Sequence, residues 1–131
     1  MKRVLIFCCV LMFLPGTRLR ADELKPFLFD SSGQVKTLTT ETVREIFFMR
    51  ISSWPDGSRI HVFVLPDKNP LHVKFAKEIL GVYPFQLRSA WDRMVYSGTG
   101  VPPTTVETLD EMQTRIKQTP GAIGYLGRER N

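Results

Sequence analysis

The segment Ile60-His-Val-Phe-Val64 places the tightest constraint on the fold of this chain. Its β-branched and aromatic residues read as a strand. Successive strand side chains point to opposite faces, so the apolar neighbours Val62 and Phe63 occupy both. A strand apolar on both faces belongs in a sheet covered by helices. The flanks agree. Trp54-Pro55-Asp56-Gly57 reads as a turn, because proline presets φ and glycine accepts a positive φ. Asn69-Pro70 opens a helix: asparagine caps it, and proline at the first helical position gives up an N–H that had no partner.

Helical spacing accounts for most of the remainder. Thr39 caps a segment in which Val43, Ile46 and Phe47 form one apolar face, with Glu41 at the positive end of the helix dipole. Glu41 and Glu45 read as a solvated face. Leu71, Phe75, Ile79 and Leu80 form a second stripe that Gly81 can terminate. Pro84 opens a helix with Leu87, Trp91, Met94 and Val95 on one face. Ser97-Gly98-Thr99-Gly100 and Pro102-Pro103 form a loop. Thr108-x-x-Glu111 is a capping-box pattern ahead of Leu109, Met112 and Ile116. Pro120-Gly121 breaks that helix, and Ala122-Ile-Gly-Tyr-Leu126 reads as a last strand. An early strand at Lys25–Asp30 and a turn at Ser31-Ser32-Gly33 complete the order. Strand, helix, strand, three helices, strand predicts an α/β domain, with a small sheet of about three strands and four helices.

Residues 1–21 carry a different signal. A basic start at Lys2-Arg3, an apolar run and Pro15-Gly16 read as a cleavable secretory signal, with Leu19 and Ala21 placed for cleavage before Asp22. The apolar run is shorter than the roughly 20 residues a bilayer span needs. Arg18 and Arg20 keep an uncleaved anchor open as the alternative. Phe7 before Cys8 does not fit a lipid-attachment site. This segment holds Lys2, Arg3, Arg18, Arg20 and both cysteines, Cys8 and Cys9. Of the 18 basic residues, 14 remain at 22–131 against 13 acidic ones. A nearly neutral domain lacks the concentrated basic face of a nucleic-acid binder. Without a thiol it has no disulfide, thiolate metal site or cysteine nucleophile, so its stability must come from a packed core.

Catalytic patterns are sparse. His61 lies in a predicted strand and His72 in the first turn of a helix, neither beside a cysteine or a G-x-S-x-G serine, and both read as surface or satisfied histidines. No H-E-x-x-H, Walker lysine loop or G-x-G-x-x-G occurs. No enzymatic activity, cofactor or metal is expected. Two loops can hold an anion. Leu65-Pro66-Asp67-Lys68-Asn69-Pro70-Leu71 runs from a strand end into a helix N-terminus, where free N–H donors and a partial positive charge meet Lys68. Capping by Asn69 alone explains the same residues. Ser97, Gly98 and Thr99 form a second donor-rich loop, for which a plain helix end is the alternative. The candidate ligand-binding residues are Asp67, Lys68, Asn69, Ser97, Gly98 and Thr99.

Several pieces occur together in one order: Leu38-Thr-x-Glu-x-Val-Arg-x-Ile-Phe47, Ile51-x-x-Trp54-x-Asp56-Gly57, Asn69-Pro-Leu71-x-x-x-Phe75, Ile79-Leu-Gly81, Ser97-Gly98, Pro102-Pro103 and Pro120-Gly-Ala-Ile-Gly-Tyr125. They resemble short stand-alone relatives of the phosphate ABC transporter substrate-binding protein, of the type 2 periplasmic-binding-protein class, over residues 24 to 127. The resemblance implies a periplasmic location, an α/β fold like one lobe of such a protein, and capture of phosphate or another small anion. Full-length relatives close two lobes around the anion, and this chain is long enough for about one. The glycine- and hydroxyl-rich loop of those relatives is replaced here by Leu65–Leu71, leaving Asp67, Lys68 and Asn69 at that position. The alternative is a non-enzymatic envelope module that has lost ligand capture and docks on a partner such as a transporter subunit. A homodimer that rebuilds a two-lobe site would combine the two.

Overall fold

The computed structural model describes residues 28–30 and 38–126. The expected leader at 1–21 and the turn at Ser31-Ser32-Gly33 lie outside the described residues. The elements run β1 (Leu28–Asp30), α1 (Thr40–Phe47), β2 (His61–Val64), α2 (Pro70–Phe75), α3 (Pro84–Tyr96), β3 (Thr104–Thr105), α4 (Leu109–Gln118) and β4 (Ala122–Tyr125). A π-helical turn, Ala76–Leu80, continues α2 directly. The α/β class is therefore as expected. The sheet order is β1-β4-β2-β3. The strands β4, β2 and β3 run parallel, and β1 pairs antiparallel with β4. The strand not read from the sequence is β3. Two exposed threonines in the expected Pro102-Pro103 loop carry no apolar pattern, and they join the sheet only by pairing Thr104 with Phe63 and Thr105 with Val64.

Helices cover both faces of the sheet. The ring of Tyr125 stacks on Phe75 of α2, with centroids 4.3 Å apart, and lies 6.2 Å from Phe47 of α1. One residue back along β4, Gly124 abuts Ile116 and Met112 of α4. Every residue of β4 is buried. That is what a central parallel strand requires, and it is why this strand reads as an unbroken apolar run. The exposed first residue of β2 is His61, whereas Phe63 and Val64 are buried.

The predicted caps form. The Thr39 hydroxyl accepts from the Thr42 N–H, Asn69 Oδ1 accepts from the Leu71 N–H, and Gly81 closes the π-helical turn at φ 71°. At α4 the Thr108 hydroxyl accepts from the Glu111 N–H, but the Glu111 carboxylate accepts from Glu107 rather than from Thr108. Two indoles act as clamps. Trp91 Nε1 donates to the Phe47 carbonyl at 2.8 Å, joining α3 to the end of α1, and Trp54 Nε1 donates to the Gly121 carbonyl at 2.9 Å. The apolar face expected on α3 is narrower than its spacing suggested. Leu87 and Trp91 are buried, Met94 is half-buried, and Val95 is exposed.

The entry to β4 has no room for a side chain. Gly121 has φ 76°, and a Cβ there would meet the Arg59 carbonyl oxygen at 2.3 Å. At Gly124 the obstructing atoms are the mobile ends of Ile116 and Met112. Gly121→Ala should therefore destabilise the protein by about 2–4 kcal/mol, and Gly124→Ala by roughly 1–2 kcal/mol. Urea unfolding of both variants checks the order.

Candidate functional site

The six residues singled out in the sequence fall in two separate places. Asp67, Lys68 and Asn69 lie between β2 and α2, while Ser97, Gly98 and Thr99 follow α3. Of the six, Gly98 and Thr99 line the larger cleft, and Lys68 borders a different, shallower depression.

The loop at 65–71 is occupied by its own contacts. Asp67 receives two hydrogen bonds from Arg88 of α3, at 2.6 Å from Nε and 3.0 Å from Nη2. This guanidinium holds the Asp67 carboxyl below its ordinary value, against the smaller opposing effect of burial. The Asn69 side chain is engaged in capping, and Pro70 has no N–H to offer. The Asn69 N–H donates to the Pro66 carbonyl. Lys68 is exposed and forms no ion pair with any described residue.

Behind Asp67 lies His72, which has no exposed surface. Its Nδ1 is 2.5 Å from the Tyr125 hydroxyl, and that hydroxyl also accepts from the Leu65 N–H at 2.8 Å. One of Nδ1 and the Tyr125 hydroxyl donates to the other, the direction being set by the His72 tautomer. Nε2 faces Asp67 at 3.8 Å, too far for a hydrogen bond, and has no other partner. Burial lowers the His72 pKa; Asp67 opposes this and Arg88 adds to it. The same burial pushes the Tyr125 hydroxyl well above its ordinary value. Spacing placed His72 in the first helical turn, but only the fold shows that it is buried against Tyr125.

The larger cleft has a volume of about 510 Å³ and opens to solvent between Met49–Ser53, Arg59–Val62 and Gly98–Thr104. Arg59, His61, Ser52, Ser53, Thr99 and Thr104 are its polar lining. Arg59 is exposed and forms no ion pair with any described residue. Thr99 Oγ1 is 2.7 Å from Ser97 Oγ, and both hydroxyls also reach the Met94 carbonyl. Met49 on the cleft wall has φ 65°, a left-handed conformation that costs a non-glycine residue roughly 1–2 kcal/mol. Arg59 escaped sequence reasoning because a lone arginine beside a turn has no motif.

Among the described residues, no group of three or more His, Cys, Asp or Glu is placed to hold a metal ion. No family model, curated protein or solved structure matches this chain.

Two outcomes test the buried network. Tyr125→Phe leaves the buried Leu65 N–H and His72 Nδ1 without their partner and should cost about 2–6 kcal/mol in urea unfolding. The second is pH dependence. Because the folded-state pKa of His72 lies below 6.5, the unfolded chain takes up a proton that the folded chain refuses. Stability is therefore retained above about pH 6.5 and falls as pH drops from there toward the folded value. Thermal melts between pH 7.5 and 5 should show this decline, and His72→Gln should flatten it.

Proposed function

We propose that this chain is an exported, non-enzymatic solute-binding-like protein that captures phosphate or a similar small anion at the cleft beside Arg59. The carrying observation is an exposed guanidinium without an acidic partner among the described residues, in a cleft whose other polar lining is hydroxyls and a histidine. An arginine fork can pair two N–H donors with two oxygens of a phosphate or carboxylate. Ser52, Ser53, Thr99 and Thr104 offer further hydrogen-bonding groups around it. The sequence pieces that resemble phosphate-transporter binding proteins favour the same ligand class and a periplasmic setting. In this proposal the anion moves away from the 65–71 loop, whose carboxylate and capping side chain are already engaged.

A cleft closed from one side leaves its ligand partly hydrated and screened by salt. Affinity should therefore be modest, roughly millimolar, equivalent to about 4 kcal/mol. Isothermal titration of the protein with phosphate, sulfate and acetate at low and high salt tests this. Heat that saturates and weakens with salt is expected. Arg59→Gln should abolish it, and Lys68→Gln should leave it intact. Absence of heat at millimolar phosphate, or binding unaffected by Arg59→Gln, would sink the reading.

A further inference from the structure

A second surface concentrates positive charge beside exposed aromatic rings. Lys68, Lys74 and Lys77 border one shallow depression together with Pro70, Val73 and the exposed Glu78, so three positive charges there outweigh one negative. None of the three lysines has an acidic partner among the described residues. Lys74 and Lys77 are one helical turn apart, on the side of the helix opposite the buried Phe75, Ala76 and Ile79. The patch continues into aromatic surface. Lys77 Nζ is 5.4 Å from the centroid of the Tyr83 ring, and Tyr83 stacks on Phe85 with centroids 6.0 Å apart. Tyr83 is 53% exposed and Phe85 67%. The core does not use the Phe85 ring, yet the ring stands at the first turn of α3 next to clustered positive charge.

We propose that this surface seats the protein on an anionic lipid bilayer, with the three lysines at the headgroup phosphates and the Tyr83 and Phe85 rings in the interfacial layer. Charge complementarity selects this occupant. Lysine is a compact point charge on a flexible stem and suits the diffuse negative field of a lipid surface, whereas recognition of protein carboxylates favours the planar arginine fork. The depression is lined by three lysines, one glutamate and no arginine, a net positive rim. Aromatic rings with one apolar side are the residues that settle at membrane–water interfaces. The inference is independent of the anion cleft, since Arg59 takes no part in it.

The test uses full-length chain and vesicles of phosphatidylcholine, with and without phosphatidylglycerol. Residues 1–21 are common to all variants, so partitioning is compared between variants on the same vesicles. Lys68→Gln, Lys74→Gln and Lys77→Gln combined should lower partitioning onto anionic vesicles roughly 100-fold, about fivefold for each lysine. Arg44→Gln, on α1, should leave it unchanged. In a Phe85→Trp variant, brominated lipid should quench the introduced indole on anionic vesicles. Equal partitioning of the triple variant and the parent, or an unquenched indole, would overturn the proposal. Binding of soluble polyglutamate as tight as binding to anionic vesicles would assign the patch to an acidic protein and overturn it too.

Discussion

The Tyr125 hydroxyl is the contact on which the arrangement of the β2–α2 loop depends. It sits at the end of the central strand and accepts from the Leu65 N–H while pairing with His72 Nδ1. Its ring stacks on Phe75 three residues further along the same helix. One side chain thus fixes where β2 ends, where α2 begins and how far α2 stands from the sheet. An apolar residue of similar volume would fill the space but leave two buried polar groups without a partner. Each such group costs about 1–3 kcal/mol. In front of His72, Asp67 is paired with Arg88, and the Arg88 guanidinium lies 5.6 Å from the centroid of the Trp91 ring. The Trp91 indole then ties α3 to the last turn of α1. The Tyr125 contacts and the Asp67–Arg88 pair together hold the β2–α2 loop against α3.

That scaffold explains the position of the open cleft. In open parallel sheets, ligands commonly bind beyond the carboxyl ends of the strands. Beyond the carboxyl end of β2, the space is filled by the Leu65–Asn69 loop and the side chains of His72 and Arg88. The cleft is instead lined by Arg59–Val62, at the amino end of β2, and by the segment leading into β3. Trp54 maintains this end through its bond to Gly121, and the bridge between Ser53 and Arg59 shapes the turn that presents Arg59. The strained backbone at Met49 lies on the same wall.

Local chemistry made much of the fold legible in the sequence. Asn69-Pro70, Thr39, Gly81 and the Val43, Ile46 and Phe47 stripe each act through neighbours a few residues away, so their patterns survive without tertiary context. The buried character of β2 followed from Val62 and Phe63 together. What stayed hidden depends on distant partners. Thr104 and Thr105 become a strand only because Phe63 and Val64 present an open ladder edge. Val95 follows the apolar spacing of α3, but no neighbouring element covers it. Asp67 looked available because its partner, Arg88, lies 21 residues away in sequence. Arg59 carried no signal because what marks it is its place in the cleft with no acidic partner among the described residues.

Cations that support the fold differ from those available to a ligand in what already pairs with them. Arg88 is committed: its fork is matched to both oxygens of Asp67, and an incoming anion would have to displace a carboxylate already in place. Arg59 and the lysines at 68, 74 and 77 have no such competitor among the described residues. They differ in setting. Arg59 lines a cleft of about 510 Å³ among hydroxyls, where a small anion can be partly enclosed. The lysines lie on an open surface beside two aromatic rings, where an extended charged layer makes more contacts than a small ion could. The nearly balanced charge of residues 22–131 therefore conceals a lone guanidinium and a lysine cluster toward opposite ends of β2, and their surroundings, rather than their number, set what each can hold.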